Sequence, residues 1–273
     1  RSTLFPYTTL FRSSINPNYA DDVDQISESF FRSNFWYRDE FEVGDNLGGD
    51  QQWLNFDGIN WKANVYLNGQ YLGRIEGAFM RGKFNVTGLL NKGKNYLAVE
   101  VICNAHFGAV KEKDENTTQF NGGILGADNP TFHATIGWDW ITSVRGREVG
   151  IWNEVYLTST GMVTVSDPYV NTKLAADQKT ASVRPSVFVR NHDTKPVKGT
   201  LKGWIGAISF EQEVTLPAQT EKEISFCPHC NKQLTSSDFH LWWPNGYGEP
   251  YLYDAGFTFT PELGQSSSIN YKA

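Results

Sequence analysis

Sulfur is scarce in this chain: two Met and three Cys among 273 residues. Cys103, Cys227 and Cys230 are too few and too unevenly spaced for a disulfide framework. No Lys/Arg cluster occurs, and Asp plus Glu exceed Lys plus Arg by 30 to 24, which argues against nucleic acid as a partner. No apolar run reaches the length of a bilayer span, so no membrane partner is expected. Cys227-Pro228-His229-Cys230 shares its four residues with thiol oxidants of the thioredoxin fold, whose first Cys needs a helix N-terminus to lower its pKa. Here a strand-like Glu223–Phe226 precedes the motif and no amphipathic helix follows, so it reads as a loop with two close thiols. No second Cys/His pair stands at zinc-ligand spacing. Neither metal nor cofactor is expected.

What the chain does have is aromatic mass: 14% Phe, Trp and Tyr, with nine Trp. Gly, Asn and Asp are frequent and β-branched residues recur in short runs, the profile of an all-β protein. The length allows two domains with sizeable cores. Residues 1–13 are set aside, because Thr3 to Ser13 match the in-frame translation of a common sequencing adapter. They are expected to be disordered, and without Arg1 and Arg12 the net charge moves from −6 to −8. On this reading the natural N-terminus, with any export signal, is missing.

From Phe35 to Leu157 short alternating segments are separated by turn signals. Phe35–Val43, Trp53–Asp57, Ala63–Leu67, Gln70–Ile75, Lys83–Val86, Tyr96–Ile102 and Trp152–Leu157 read as strands. Asn68-Gly69 accepts positive φ and closes a two-residue hairpin. The stretch between Ile102 and Gly137 has no period and is read as a site-forming loop. A boundary is placed near Asp167-Pro168, which gives domains at 14–166 and 167–273. In the second, Ser182–Arg190, Lys198–Ile205, Glu211–Leu216 and Lys222–Phe226 suggest an immunoglobulin-like sandwich without a disulfide. Leu241–Gly248 reads as a tight turn whose Trp242 and Trp243 plug the domain edge.

Gly137-Trp138-Asp139-Trp140, with Gly150-Ile151-Trp152 following, is the candidate site. Indole faces stack on the apolar faces of sugar rings, and a carboxylate between them accepts hydroxyl protons. The same indoles would also serve as sandwich core, since successive strand residues face opposite ways. His133 and Asn129, just upstream, are secondary candidates.

Asn55–Ile59, Ala63–Gly69, Phe84–Leu90 and Asn95–Val99, taken with the two Trp motifs and Leu241–Gly248, resemble glycoside hydrolase family 2. The resemblance runs from about Tyr19 to Thr260 and is strongest to the β-mannosidase and exo-β-glucosaminidase branch. It implies a sugar-binding jelly-roll followed by an immunoglobulin-like domain. It implies further that a (β/α)8 barrel, absent from these residues, carries a glutamate pair about 5 Å apart for retaining hydrolysis of β-linked sugars. Asp139 would bind hydroxyls of the terminal sugar, with Trp138 and Trp140 as walls. The chain alone would be inactive, since Glu148 and Glu154 do not replace that pair. The whole enzyme would be periplasmic or secreted. Arg145–Glu148 departs from the Pro-rich segment of β-mannosidases, which leaves the sugar open. A free-standing carbohydrate-binding module is the alternative.

Overall fold

The computed structural model describes residues 33–44, 47–77, 79–103, 105, 150–177 and 179–273, together with the backbone of Ser2–Thr3. Among them there is no α-helix, and strands dominate. Contacts divide the chain into two compact units at Thr158/Ser159, with Gly49–Gln51 grouped with the second.

The first unit is the jelly-roll sandwich. Its strands are β1 (Ser2–Thr3), β2 (Phe35–Val43), β3 (Gln51–Phe56), β4 (Ile59–Asn60), β5 (Lys62–Leu67), β6 (Gln70–Glu76), β7 (Gly82–Asn85), β8 (Gly93–Val101), β9 (Gly150–Ile151) and β10 (Val155–Thr160). One sheet runs β2-β8-β5-β6, the other β1-β10-β3-β7, and β4 pairs β9. Alternation drives the burial: in β5, Ala63, Val65 and Leu67 point to the core while Asn64 and Tyr66 look outward. The core gathers Leu54, Phe56, Val65, Leu97, Val99 and Val155 among others, all essentially inaccessible to solvent. Asn68 (φ 51) and Gly69 (φ 81) form the expected hairpin tip between β5 and β6.

Two details differ from the sequence reading. Ser2–Thr3, expected to be disordered, pairs antiparallel with Leu157 and Tyr156; an edge strand accepts any extended backbone, whatever its side chains. The closing strand begins at Val155, not Trp152, because Trp152 and Asn153 turn their N–H groups onto the Gly58 carbonyl at 3.2 and 3.4 Å.

The second unit is the immunoglobulin-like sandwich. Its strands are β11 (Val163–Leu174), β12 (Ala181–Asn191), β13 (Val197–Ile205), β14 (Ile208–Leu216), β15 (Glu221–Ser225), β16 (Thr235–Ser236), β17 (Asp254–Pro261) and β18 (Ser267–Lys272). The sheets are β11-β12-β15, with β16 on β12, and β14-β13-β17-β18. Val187, Val189, Leu201, Leu216, Phe257 and Phe259 fill the space between them. The Asp167-Pro168 boundary falls inside β11. The strand absorbs Pro168 through a register shift between Ser166 and Tyr169, with Asp167 at φ 50, and a bulge is where a strand tolerates Pro. Trp242 and Trp243 are not a buried plug: they are 55% and 48% exposed. The turn itself is present, with the Tyr247 N–H on the Pro244 carbonyl at 3.0 Å.

Candidate functional site

The segment Asp57–Ala63 organises one end of the jelly-roll. Asn60 pairs with Gly150 and Ile59 with Ile151. Ala63 pairs with Val101, and the Ile102 N–H donates to the Lys62 carbonyl at 2.9 Å. The chain therefore leaves β8 and re-enters at β9 against one stretch of a few residues. The long connection between Ile102 and Gly150 is pinned at both ends on the same segment.

Two glycines make this closure fit. The Trp152 indole lies where a Cβ on Gly58 would stand, so the position admits no side chain. Gly150 has φ 134, and a Cβ there would meet the Tyr37 hydroxyl. Tyr37 is buried. Desolvation pushes its hydroxyl above the usual value, against the opposing hydrogen bond from the Ile151 backbone.

Around this end stand side chains of the type a sugar site uses. Trp152 is 51% exposed with its ring lying on Gly58. Asp57 accepts a hydrogen bond from the Tyr156 hydroxyl at 3.2 Å and faces Arg81 Nε at 4.0 Å. Lys62 Nζ stands 3.9 Å from the ring centroid of Trp61. Carboxylate, guanidinium and indole together can hold a neutral polar ring by hydrogen bonds and stacking. Sequence reasoning did not single out Asp57 or Trp61. The available signal was an Asp-Gly at a strand end and a Trp just beyond it.

The residues named in advance, Asn129, His133, Trp138, Asp139 and Trp140, lie outside the described residues, in the connection whose ends are described above. Among the described residues no group of three or more His, Cys, Asp or Glu is placed to hold a metal ion. No helix there is long and apolar enough to cross a membrane.

The outer face of the β2-β8-β5-β6 sheet carries a second aromatic group. The ring centroids of Trp36 and Tyr66 are 5.7 Å apart, and those of Tyr66 and Tyr71 are 5.3 Å apart. Beside them Glu100 accepts hydrogen bonds from the Asn34 and Asn64 amides at 2.8 and 2.9 Å. Trp36 and Tyr71 are each about half exposed.

Both units belong to a class of proteins that handle carbohydrates. Residues 6–153 match the galactose-binding-like domain of glycosyl hydrolase 2, and residues 163–272 match glycosyl hydrolases family 2. The chain belongs to glycosyl hydrolase family 2. It is 28% identical over 258 residues to an exo-β-D-glucosaminidase of Streptomyces avermitilis, covering 93% of this chain and 26% of that protein. It is 31% identical over 270 residues to a mannosylglycoprotein endo-β-mannosidase of Lilium longiflorum, covering 94% and 27%. The fold matches the crystal structure of an exo-chitosanase of Amycolatopsis orientalis with a TM-score of 0.70 at 22% identity, over 94% of this chain and 27% of that one. The chain thus spans about a quarter of the length of these relatives.

Proposed function

We propose that the whole protein is a retaining exo-acting β-glycosidase, exported to the periplasm or secreted. In this reading the present residues are its non-catalytic N-terminal part and supply substrate-binding groups beside a (β/α)8 barrel. The observation that carries it is the pair of family matches, in order, to proteins about four times as long. Exo action and an amino sugar follow the glucosaminidase relative; the lily relative is named an endo-β-mannosidase. Chemistry supports the non-catalytic role. Retaining hydrolysis needs one carboxylic acid for the leaving group and a second carboxylate as nucleophile. Two concavities among the described residues bring one carboxylate each, Asp238 beside Phe239 and Tyr253, and Glu76 beside Arg74 and Arg81.

Within this reading Asp139 meets hydroxyls of the terminal sugar, flanked by Trp138 and Trp140, with Asn129 and His133 nearby. The connection that carries them starts and ends on Asp57–Ala63, beside Asp57 and Trp152, and this supports the reading. The test is Asp139→Ala in the whole enzyme, expected to lower kcat/KM by about 2–4 kcal/mol in transition-state terms. The same change in this chain is expected to leave the melting temperature unaltered. A melt lowered as far as by Val99→Ala would make Asp139 a scaffold residue. Turnover of an aryl β-glycoside by this chain alone, abolished by one Asp or Glu substitution, would refute the non-catalytic role.

The Trp36–Tyr66–Tyr71 face favours one second reading, a carbohydrate-binding module that works without a barrel. Retention of the chain on insoluble chitosan or mannan, lost in Trp36→Ala, would support it. A reading frame that continues into a barrel beyond codon 273 would favour the first.

A further inference from the structure

The second unit holds a pair of thiols that neither the fold nor the glycosidase reading uses. Cys227 opens a turn just after β15: the N–H groups of Cys230 and Asn231 donate to its carbonyl at 3.1 and 3.0 Å. Pro228 suits the next position because it has no N–H to place. The turn is fixed from both sides. Phe226 is buried, donates its N–H to the Pro185 carbonyl at 2.9 Å and packs on Phe210 with centroids 4.5 Å apart. Leu234 is fully buried and donates its N–H to the Asn231 carbonyl at 2.9 Å. Backbone and core therefore set where the two cysteines stand.

Inside the turn the two thiols are close enough to influence each other. The backbone N–H groups of Cys230 and His229 beside the Cys227 side chain hold that thiol below its ordinary pKa, helped by Arg184 nearby. The neighbouring Cys227 side chain holds the Cys230 thiol above its own. Residues three apart in such a turn have Cα atoms about 5 Å apart, within the span a disulfide bridges. Cys230 is exposed and Cys227 half-buried, so small reagents reach the pair.

We propose that Cys227 and Cys230 form a reversible dithiol–disulfide pair that reacts with low-molecular-weight disulfides such as oxidised glutathione, with Cys227 attacking and Cys230 resolving. The Cys227 thiolate attacks one sulfur of the glutathione disulfide. That S–S bond breaks, and the departing glutathione thiolate takes up the proton that Cys227 released. Cys230 then deprotonates and attacks the Cys227 sulfur of the mixed disulfide, expelling the second glutathione, which is protonated in turn. Two protein thiols are oxidised and one glutathione disulfide is reduced to two thiols. Cys103 lacks such a partner: its own unit holds no other cysteine, and its backbone N–H is on Asn34 Oδ1.

The test uses the reduced chain with excess oxidised glutathione, acid quench, intact mass and peptide mapping. The mass is expected to fall by two hydrogens, with Cys227 linked to Cys230 and Cys103 free. Cys230→Ser is expected to stop with one glutathione on Cys227. Iodoacetamide is expected to label Cys227 in that variant several-fold faster than it labels Cys230 in Cys227→Ser. Circular dichroism checks that each variant folds, with Cys230→Ala as the substitute for a serine variant that does not. Glutathione on both cysteines without a link, prior reaction at Cys103, or faster labelling of Cys230 would overturn the proposal.

Discussion

Asn95→Ala is expected to unfold the jelly-roll far more readily than its small change in volume suggests. Asn95 is fully buried on β8, and its amide has every valence used. Nδ2 donates to the carbonyls of Asn91 and Gly93, both at 2.9 Å. Oδ1 accepts from the Asn91 N–H at 2.8 Å and from Asn68 Nδ2 at 2.9 Å. Asn68 in turn ties the hairpin tip to β8: its N–H donates to the Tyr96 carbonyl and its Oδ1 accepts from the Tyr96 N–H. One amide thus fastens the Asn91–Gly93 turn and the β5–β6 tip to the same strand. Deletion removes four hydrogen bonds at about 1 kcal/mol each, and water reaching the exposed turn recovers part of that, leaving a loss of about 2–4 kcal/mol. In urea that corresponds to a midpoint lower by about 1–2 M. Asn95→Asp sets a carboxylate against two carbonyls, so its loss is expected to be larger at pH 8 than at pH 5, where protonation restores a donor. Urea unfolding followed by Trp fluorescence at both pH values measures this. A loss under 0.5 kcal/mol for Ala, or no pH dependence for Asp, would refute the account.

Gly150→Ala is expected to destabilise the first unit, because the Cβ meets the Tyr37 hydroxyl and φ is positive there; Tyr37→Phe in the same chain should recover part of the loss, which thermal melts would show. Tyr271 has a buried hydroxyl with no partner, so Tyr271→Phe is expected to be neutral or to stabilise the second unit by about 1 kcal/mol. Burial raises the Tyr271 pKa from 10.0 to about 12. A folded value above the unfolded one means that the neutral hydroxyl contributes fully below pH 10 and that this contribution is lost as pH rises towards 12. Wild type is expected to fall further below Tyr271→Phe in thermal melts as pH rises from 10 to about 12, and a difference that stays constant over that range would refute the account.

Strands were legible where one face is apolar. Phe35–Val43 and the Asn68-Gly69 tip coincide with the structure, because alternation and a positive-φ dipeptide are local signals. β11 was not legible because Pro168 reads as punctuation, and only its partner β12 reveals the bulge that accommodates it. β17 and β18 are signalled only weakly, by the short alternation of Phe257 and Phe259 with Thr258 and Thr260 beside the stronger Trp-Trp-Pro-Asn-Gly turn signal before them. At the candidate site the Trp-Asp-Trp motif stood out by composition. The Gly58–Trp152 contact did not, since it joins positions far apart in sequence and is visible only once β4 meets β9. Asn95 opens one of the family-like segments, but its keystone role needs three partners brought together by the fold.

The pinning of Ile102 and Gly150 on one short segment has an evolutionary consequence. When a connection starts and ends at one place, doubling its length adds only about 0.6 kcal/mol of closure entropy. The sandwich beneath is then a socket. Sequence between the two anchors can lengthen, shorten or be exchanged wholesale while Gly58, Gly150 and Tyr37 keep the socket closed. Selection can rework the insert with the folding of the unit left largely untouched.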